Sequence, residues 1–250
     1  MQAKNSNFLQ MACILSIESS TQVCSVAVSK DGELAWNKEN MELSHSTVLG
    51  VYIAEAFRFV QENHFRLDAV AVSEGPGSYT GLRIGVSLAK GICFGLDIPL
   101  IALPTLKVMA ARFAPSASYL CPMIDARRME VYTALYDENL NEIEPVQAMI
   151  VDENSFRDLL AQKEIRFFGN GMDKCKTVIQ SPNAVFIDEV YPLASNMINE
   201  AENAFMRKAF VDTAYFEPFY LKEFQATTPK NKVINDILNY NNFLTRELEK

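Results

Sequence analysis

Cys13 to Asn37, CILSIESSTQVCSVAVSKDGELAWN, is the stretch on which the fold turns. Cys13 to Ile17 and Val23 to Ser29 are short apolar, β-branched runs, and Asp31-Gly32 supplies a hairpin turn ahead of Glu33 to Asn37. The pattern predicts three consecutive antiparallel strands. Outward from it, Ser44 or Ser46 can cap a helix running to about Asn63, Ala69 to Ser73 reads as a buried strand, and Leu82 to Gly95 as a second helix. The order is βββαβα. Past Pro99 to Pro104 the pattern restarts with a helix near Thr105 to Phe113 and strands near Tyr119 to Ile124, Val131 to Tyr136 and Val146 to Val151. Helices at Asn154 to Gln162 and Met172 to Gln180, short strands near Arg166 to Phe168 and Val185 to Ile187, and a long helix from Leu193 to Lys208 complete it. The expectation is a duplicated βββαβα α/β protein with a cleft between two lobes, residues 1–104 and 105–225. In residues 226–250, Thr227-Thr228-Pro229-Lys230 reads as a linker, and Val233, Ile237, Leu244 and Leu248 mark an amphipathic helix.

With 250 residues, 49% of them hydrophobic and 22% charged, the chain can bury about 70 to 75% of its unfolded surface and build a proper core. The 23 Lys and Arg against 31 Asp and Glu leave a net charge of −8, which disfavours tight, unaided binding to tRNA or DNA. The five cysteines form no CxxC pair, which fits a reducing compartment. Met11 to Ile17 is no convincing signal peptide, and Ile92 to Ala110 is broken by Asp97, Pro99, Pro104 and Lys107, so the expectation is a cytoplasmic protein with no membrane span.

The densest local signal is Ser73 to Arg83, SEGPGSYTGLR, between strand and helix. Pro76 pushes Gly75 toward extended geometry, Gly77 permits a left-handed turn, and Ser78 or Thr80 can cap a helix starting near Gly81. The glycine spacing fits neither the dinucleotide fingerprint nor a Walker loop, so Gly75, Pro76 and Gly77 read as a structural turn rather than a phosphate cradle. Helix one carries more apolar residues than one buried face can hide, and helix two repeats Gly81, Gly85 and Ala89 every four residues. On composition, that seam either admits a partner helix or packs on the protein's own sheet. The two histidines, His45 and His64, are too far apart to make a metal pair.

Ile14 to Thr21 (ILSIESST), Ser73 to Arg83 and Pro122 to Tyr132 (PMIDARRMEVY), closed by Tyr220-Leu221, resemble in order and spacing the bacterial TsaB family, also called YeaZ, over residues 13–225. The resemblance implies an actin-like, sugar-kinase-like (ASKHA) fold that has lost catalysis. It implies pairing with the related TsaD transferase, which forms threonylcarbamoyladenosine next to the tRNA anticodon with the TsaE ATPase, or with a second copy of the chain. tRNA would be reached only through that complex. The implied partner surface is Val48, Val51, Tyr52, Glu55 and Phe59 on helix one with Gly81, Arg83, Gly85, Leu88 and Ala89 on helix two.

Active proteins of that fold open each phosphate loop with an Asp followed by Gly or hydroxyl residues. Here Glu18-Ser19-Ser20 stands in the first loop, and Asp125 in the second is followed by Ala126-Arg127-Arg128. Gly169 and Gly171 are either an adenosine-side remnant or a strand-to-helix turn. The reading is of degenerate nucleotide loops with no resident cofactor, weak nucleotide binding remaining open. The competing function is a self-sufficient ATP-dependent phosphotransferase, which intact loops would favour.

Overall fold

A computed structural model of the chain describes residues 12–41 and 45–222. Ser44, proposed above as a cap, and the amphipathic segment at residues 226–250 lie outside the described residues. The first unit runs β1 (Cys13–Glu18), β2 (Cys24–Lys30), β3 (Glu33–Asn40), α1 (His45–Glu62), β4 (Ala69–Gly75), α2 (Tyr79–Leu96) and β5 (Leu100–Pro104). After α3 (Thr105–Ala111) the second runs β6 (Tyr119–Asp125), β7 (Glu130–Tyr136), β8 (Glu142–Ile150), α4 (Arg157–Leu160), β9 (Ile165–Phe168) and β10 (Ala184–Ile187), and α5 (Ile198–Met206) follows.

The sheets have orders β3-β2-β1-β4-β5 and β10-β9-β6-β7-β8, so in each the unit's first strand is central, with an antiparallel meander on one side and two parallel strands on the other. The duplication invisible as sequence repeat is plain as topology. β1 is buried along its whole length, as a central strand covered on both faces requires, which is why CILSIE is mostly apolar, with Ser16 and Glu18 the buried exceptions. Leu15, Ile17, Val70 and Val72 meet α1 and α2 on one face; Ile14, Ala71 and Ile101 meet α3, a 3-10 turn at Ala194–Met197 and α5 on the other. Leu106 and Met109 of α3 pack with Leu120 and Phe168 of the second sheet while Val108 packs with the first, so α3 is wedged between the lobes.

Several expectations change. Leu100–Pro104, read above as a break, is a fifth strand paired with β4. The helix expected at Met172 to Gln180 is a 3-10 turn at Asp173–Cys175, in which Cys175 N–H reaches Met172 O and Val178 N–H reaches Cys175 O, three residues back. Its entry is tied to β6, Gly171 N–H donating to Met123 O at 2.9 Å, and from there the chain winds tighter than an α-helix. The helix expected at Asn154 to Gln162 shrinks to α4 because Phe156 sits at φ 62, outside helical space. The long helix at Leu193 to Lys208 splits into the 3-10 turn and α5. α5 and the residues after it, placed above with the second lobe, pack on the first: Ala12 N–H donates to Glu202 Oε1 at 3.1 Å, and Val211 N–H donates to Leu100 O at 3.0 Å.

Candidate functional site

The carboxyl ends of β1 and β6, the start of α2 and residues 219–222 enclose a cleft of about 490 Å³ between the lobes. Ser20, Thr21 and Thr80 line it from the first lobe, Asp125, Arg127 and Asn170 from the second. The start of α2 is fixed by Ser78, whose Oγ accepts Gly81 N–H at 3.2 Å, so the helix begins at Tyr79 rather than near Gly81.

Glu18 does not face this cleft. It is fully buried, its Oε1 accepting Ser20 N–H at 2.6 Å and its Oε2 accepting the Ser73 hydroxyl of the neighbouring strand. Burial pushes its carboxyl above the usual carboxylate range, against the opposing pull of the Ser20 and Ser73 hydrogen bonds. Ser19, also buried, donates its Oγ–H to Gly81 O at 2.9 Å, so the first loop is folded under α2. Asp125 is half-exposed at the cleft wall, but its carboxylate is paired with the Lys174 ammonium and accepts Arg127 N–H at 3.2 Å. Asn170 Oδ1 accepts Asp125 N–H at 3.0 Å. A Cβ at Gly169 would strike Met123 O, and one at Gly171 would lie 2.8 Å from Ile124 C, so both glycines let the turn after β9 seat against β6.

In the Gly75-Pro76-Gly77 turn the roles are exchanged from those expected. Gly75 takes the positive φ, 118°, with Phe219 O crowding its Cβ position at 2.5 Å, while Gly77 is needed for close approach to Ser20 O. Ser78 N–H donates to that same Ser20 O at 2.6 Å, which locks the turn to the first loop.

The expected partner surface divides. Gly81, Gly85 and Ala89 are buried against the protein itself: a Cβ at Gly81 would overlap Ser19 O and one at Gly85 would overlap Ser19 Oγ. These three residues face inward because α2 must lie close on the end of β1, and they are not available surface. Val51 and Arg83 are exposed, and Val48, Tyr52, Glu55, Phe59 and Leu88 are half-buried. Glu55 is paired with Lys38 of β3 at 2.6 Å, Lys38 also lies 5.1 Å from the Tyr52 ring centroid, and Phe59 stacks on Trp36 at 6.5 Å. The outward small residues, missed above, are Gly50 and Ala54 on α1 with Ser87 and Gly91 on α2. Nothing lies within 4 Å of a Cβ at Gly50 or Gly91. Four-residue spacing was the available signal, but composition could not say which of two such rows on α2 faced out. Arg83 is half committed, its guanidinium 4.1 Å over the Tyr79 ring and its Nε–H donated to Tyr220 Oη at 3.1 Å.

Among the described residues no group of three His, Cys, Asp or Glu side chains could hold a metal ion, and no helix is long and apolar enough to cross a membrane.

The chain is 29% identical to the "tRNA threonylcarbamoyladenosine biosynthesis protein TsaB" of Escherichia coli over 84% of this chain and 94% of that one. It is 28% identical to the protein of the same name from Haemophilus influenzae over 86% and 95%. The solved structure described as "YeaZ from Pseudomonas aeruginosa" superposes with a TM-score of 0.70 at 24% identity, covering 84% of this chain and all of the other, and so shares the two-lobed fold. The family model described as "TsaD: tRNA N6-adenosine threonylcarbamoyltransferase" matches residues 39–230, and on that match, with TsaB proteins as its full-length relatives, the chain belongs to this family as one of its TsaB (YeaZ) members.

Proposed function

We propose that the chain is the noncatalytic, partner-binding subunit in the formation of threonylcarbamoyladenosine in tRNA, pairing with a TsaD-type transferase and meeting a TsaE-type ATPase and tRNA only within that assembly. The observation that carries this is Glu18. The first-loop acid is sealed under α2, where it cannot reach a metal or a phosphate in the cleft. The pairing of Asp125 with Lys174 points the same way, and no geometry favours a self-sufficient phosphotransferase. Weak nucleotide binding in the cleft is compatible with this role. Names of relatives support the pathway, and the family match supports kinship with the transferase.

The partner surface in this reading is the outer face of α1 and α2, shifted from the buried glycine row to Gly50, Val51, Ala54, Ser87 and Gly91, with Val48 and Leu88 beside them. Small outward residues let a second helix pair approach closely, and the same face can serve a homodimer. The test is co-elution with a TsaD-type transferase, using Gly91→Trp, whose side chain enters open space in the free chain. The expected result is unchanged melting with at least about 30-fold weaker pairing, as loss of an interface-core contact of 2 kcal/mol or more implies. Normal pairing by Gly91→Trp overturns the surface, and steady ATP turnover by the isolated chain, abolished by Asp125→Ala, overturns the noncatalytic role.

A further inference from the structure

Residues 219–222 cross the mouth of the interlobe cleft and are fastened at both sides. On the first lobe, Phe219 N–H donates to Glu74 O at 2.7 Å, the Tyr220 ring lies 4.8 Å from that of Tyr79, and Tyr220 Oη accepts Arg83 Nε–H at 3.1 Å. On the second lobe, Lys222 Nζ pairs with the Glu130 carboxylate at the start of β7. This strap links an exposed residue of α2, Arg83, through Tyr220, Leu221 and Lys222 to the opposite lobe, and Lys90 of the same helix holds the approach to it by donating from Nζ to Ala214 O at 3.1 Å and Phe216 O at 2.9 Å.

We infer that the strap couples partner docking on α2 to opening of the interlobe cleft, with Tyr220 as the positioning residue through which the two communicate. The inference rests on the partner reading above and adds its regulation. Arg83 is exposed and holds Tyr220 by a hydrogen bond to a neutral phenol. A partner carboxylate that takes the Nε–Nη edge of the same guanidinium would form a charge-assisted, bidentate contact in competition with Tyr220 for the Nε–H, roughly twice as strong per bond. Docking of a surface that presents such a carboxylate draws Arg83 from Tyr220 and loosens the strap at that anchor, while Phe219 keeps its bond to Glu74 and the Tyr220 ring its contact with Tyr79. Linkage makes the effect reciprocal: a chain whose strap is already loose binds the partner more tightly, because that bond need not be broken.

Tyr220→Phe removes the phenolic oxygen and keeps the ring on Tyr79; Lys222→Gln removes the charge that holds the second lobe. In the isolated full chain, both are expected to speed hydrogen exchange at residues 77–80 and 124–127, which line the cleft, without lowering the melting temperature. With a TsaD-type transferase, Tyr220→Phe is expected to raise affinity by about threefold to tenfold, the reach of one hydrogen bond. Unchanged cleft exchange in both variants overturns the strap. Faster exchange with unchanged or weaker transferase affinity overturns the coupling and leaves the partner reading standing. A parent chain that does not bind the transferase overturns the partner reading itself, and the coupling with it.

Discussion

Glu18 shows how one residue decides what a site can do. In its place at the end of β1 a carboxylate open to water could hold a cation, yet here its oxygens are used by Ser20 N–H and the Ser73 hydroxyl and no water reaches it. Its acid form is favoured in the folded state because burial penalises the charge. A carboxyl whose folded pKa is raised contributes its stability below the unfolded value of 4.5 and loses it as pH rises through the folded pKa. Glu18→Gln is therefore expected to be more stable than the parent at neutral pH, with the advantage shrinking as the pH falls through the raised folded pKa and gone below about 4.5. Urea denaturation of both proteins across that range checks it, and a Glu18→Gln chain less stable at pH 7 than the parent would mean the buried group is held as a paired carboxylate. The sequence displayed the acid at this position and the missing loop glycine. It could not display burial, which comes from Ser73 on β4 and from α2 settling above.

At the scale of the element, α2 has an inner row and an outer row of small residues, and only the sheet tells them apart. The inner row, Gly81 and Gly85, lets the helix descend until Ser19 fills the space a side chain would need. Gly85→Ala is expected to destabilise the chain by about 1 to 3 kcal/mol, since Ser19 is fixed by its own hydrogen bond to Gly81 O and cannot withdraw freely. Gly91→Ala, with open space around it, should instead stabilise the free chain by about 0.5 to 1 kcal/mol through helix propensity. Chemical denaturation of the two single variants reads the contrast; equal effects of one sign would show that α2 does not lie as close to β1 as described. Most strands were legible by apolar runs and by the Asp31-Gly32 turn, whereas β5 at Leu100–Pro104 and the 3-10 turn at Asp173–Cys175 were not. Met172, Cys175 and Ile179 bury their side chains with helix-like spacing while the hydrogen bonds close mostly over three residues.

At the scale of the whole molecule, the order of the chain and the order of the lobes part company after β10. α5 is sequentially the end of the second unit and spatially a cover for the first sheet, with Ala201 fully buried beside Ile14, Ala71 and Ile101. Ala201→Asp places an unpaired charge in that core and should cost several kcal/mol, with hydrogen exchange rising first in β1 and β5 rather than in β9 and β10. Faster exchange confined to the second sheet would put α5 with the other lobe. What the sequence by itself determined is the strand meander that opens each unit, the two-lobed α/β plan, the family resemblance and the absence of glycine-opened phosphate loops. Each of these is written in local periodicity, turn chemistry or contiguous motif. The tertiary structure alone decided which glycine row of α2 faces outward, that Glu18 is sealed and Asp125 paired, that α5 returns to the first sheet, and that Tyr220 and Lys222 span the cleft. Those facts depend on contacts between residues far apart in the chain, where packing distance, not neighbouring sequence, sets burial and partner.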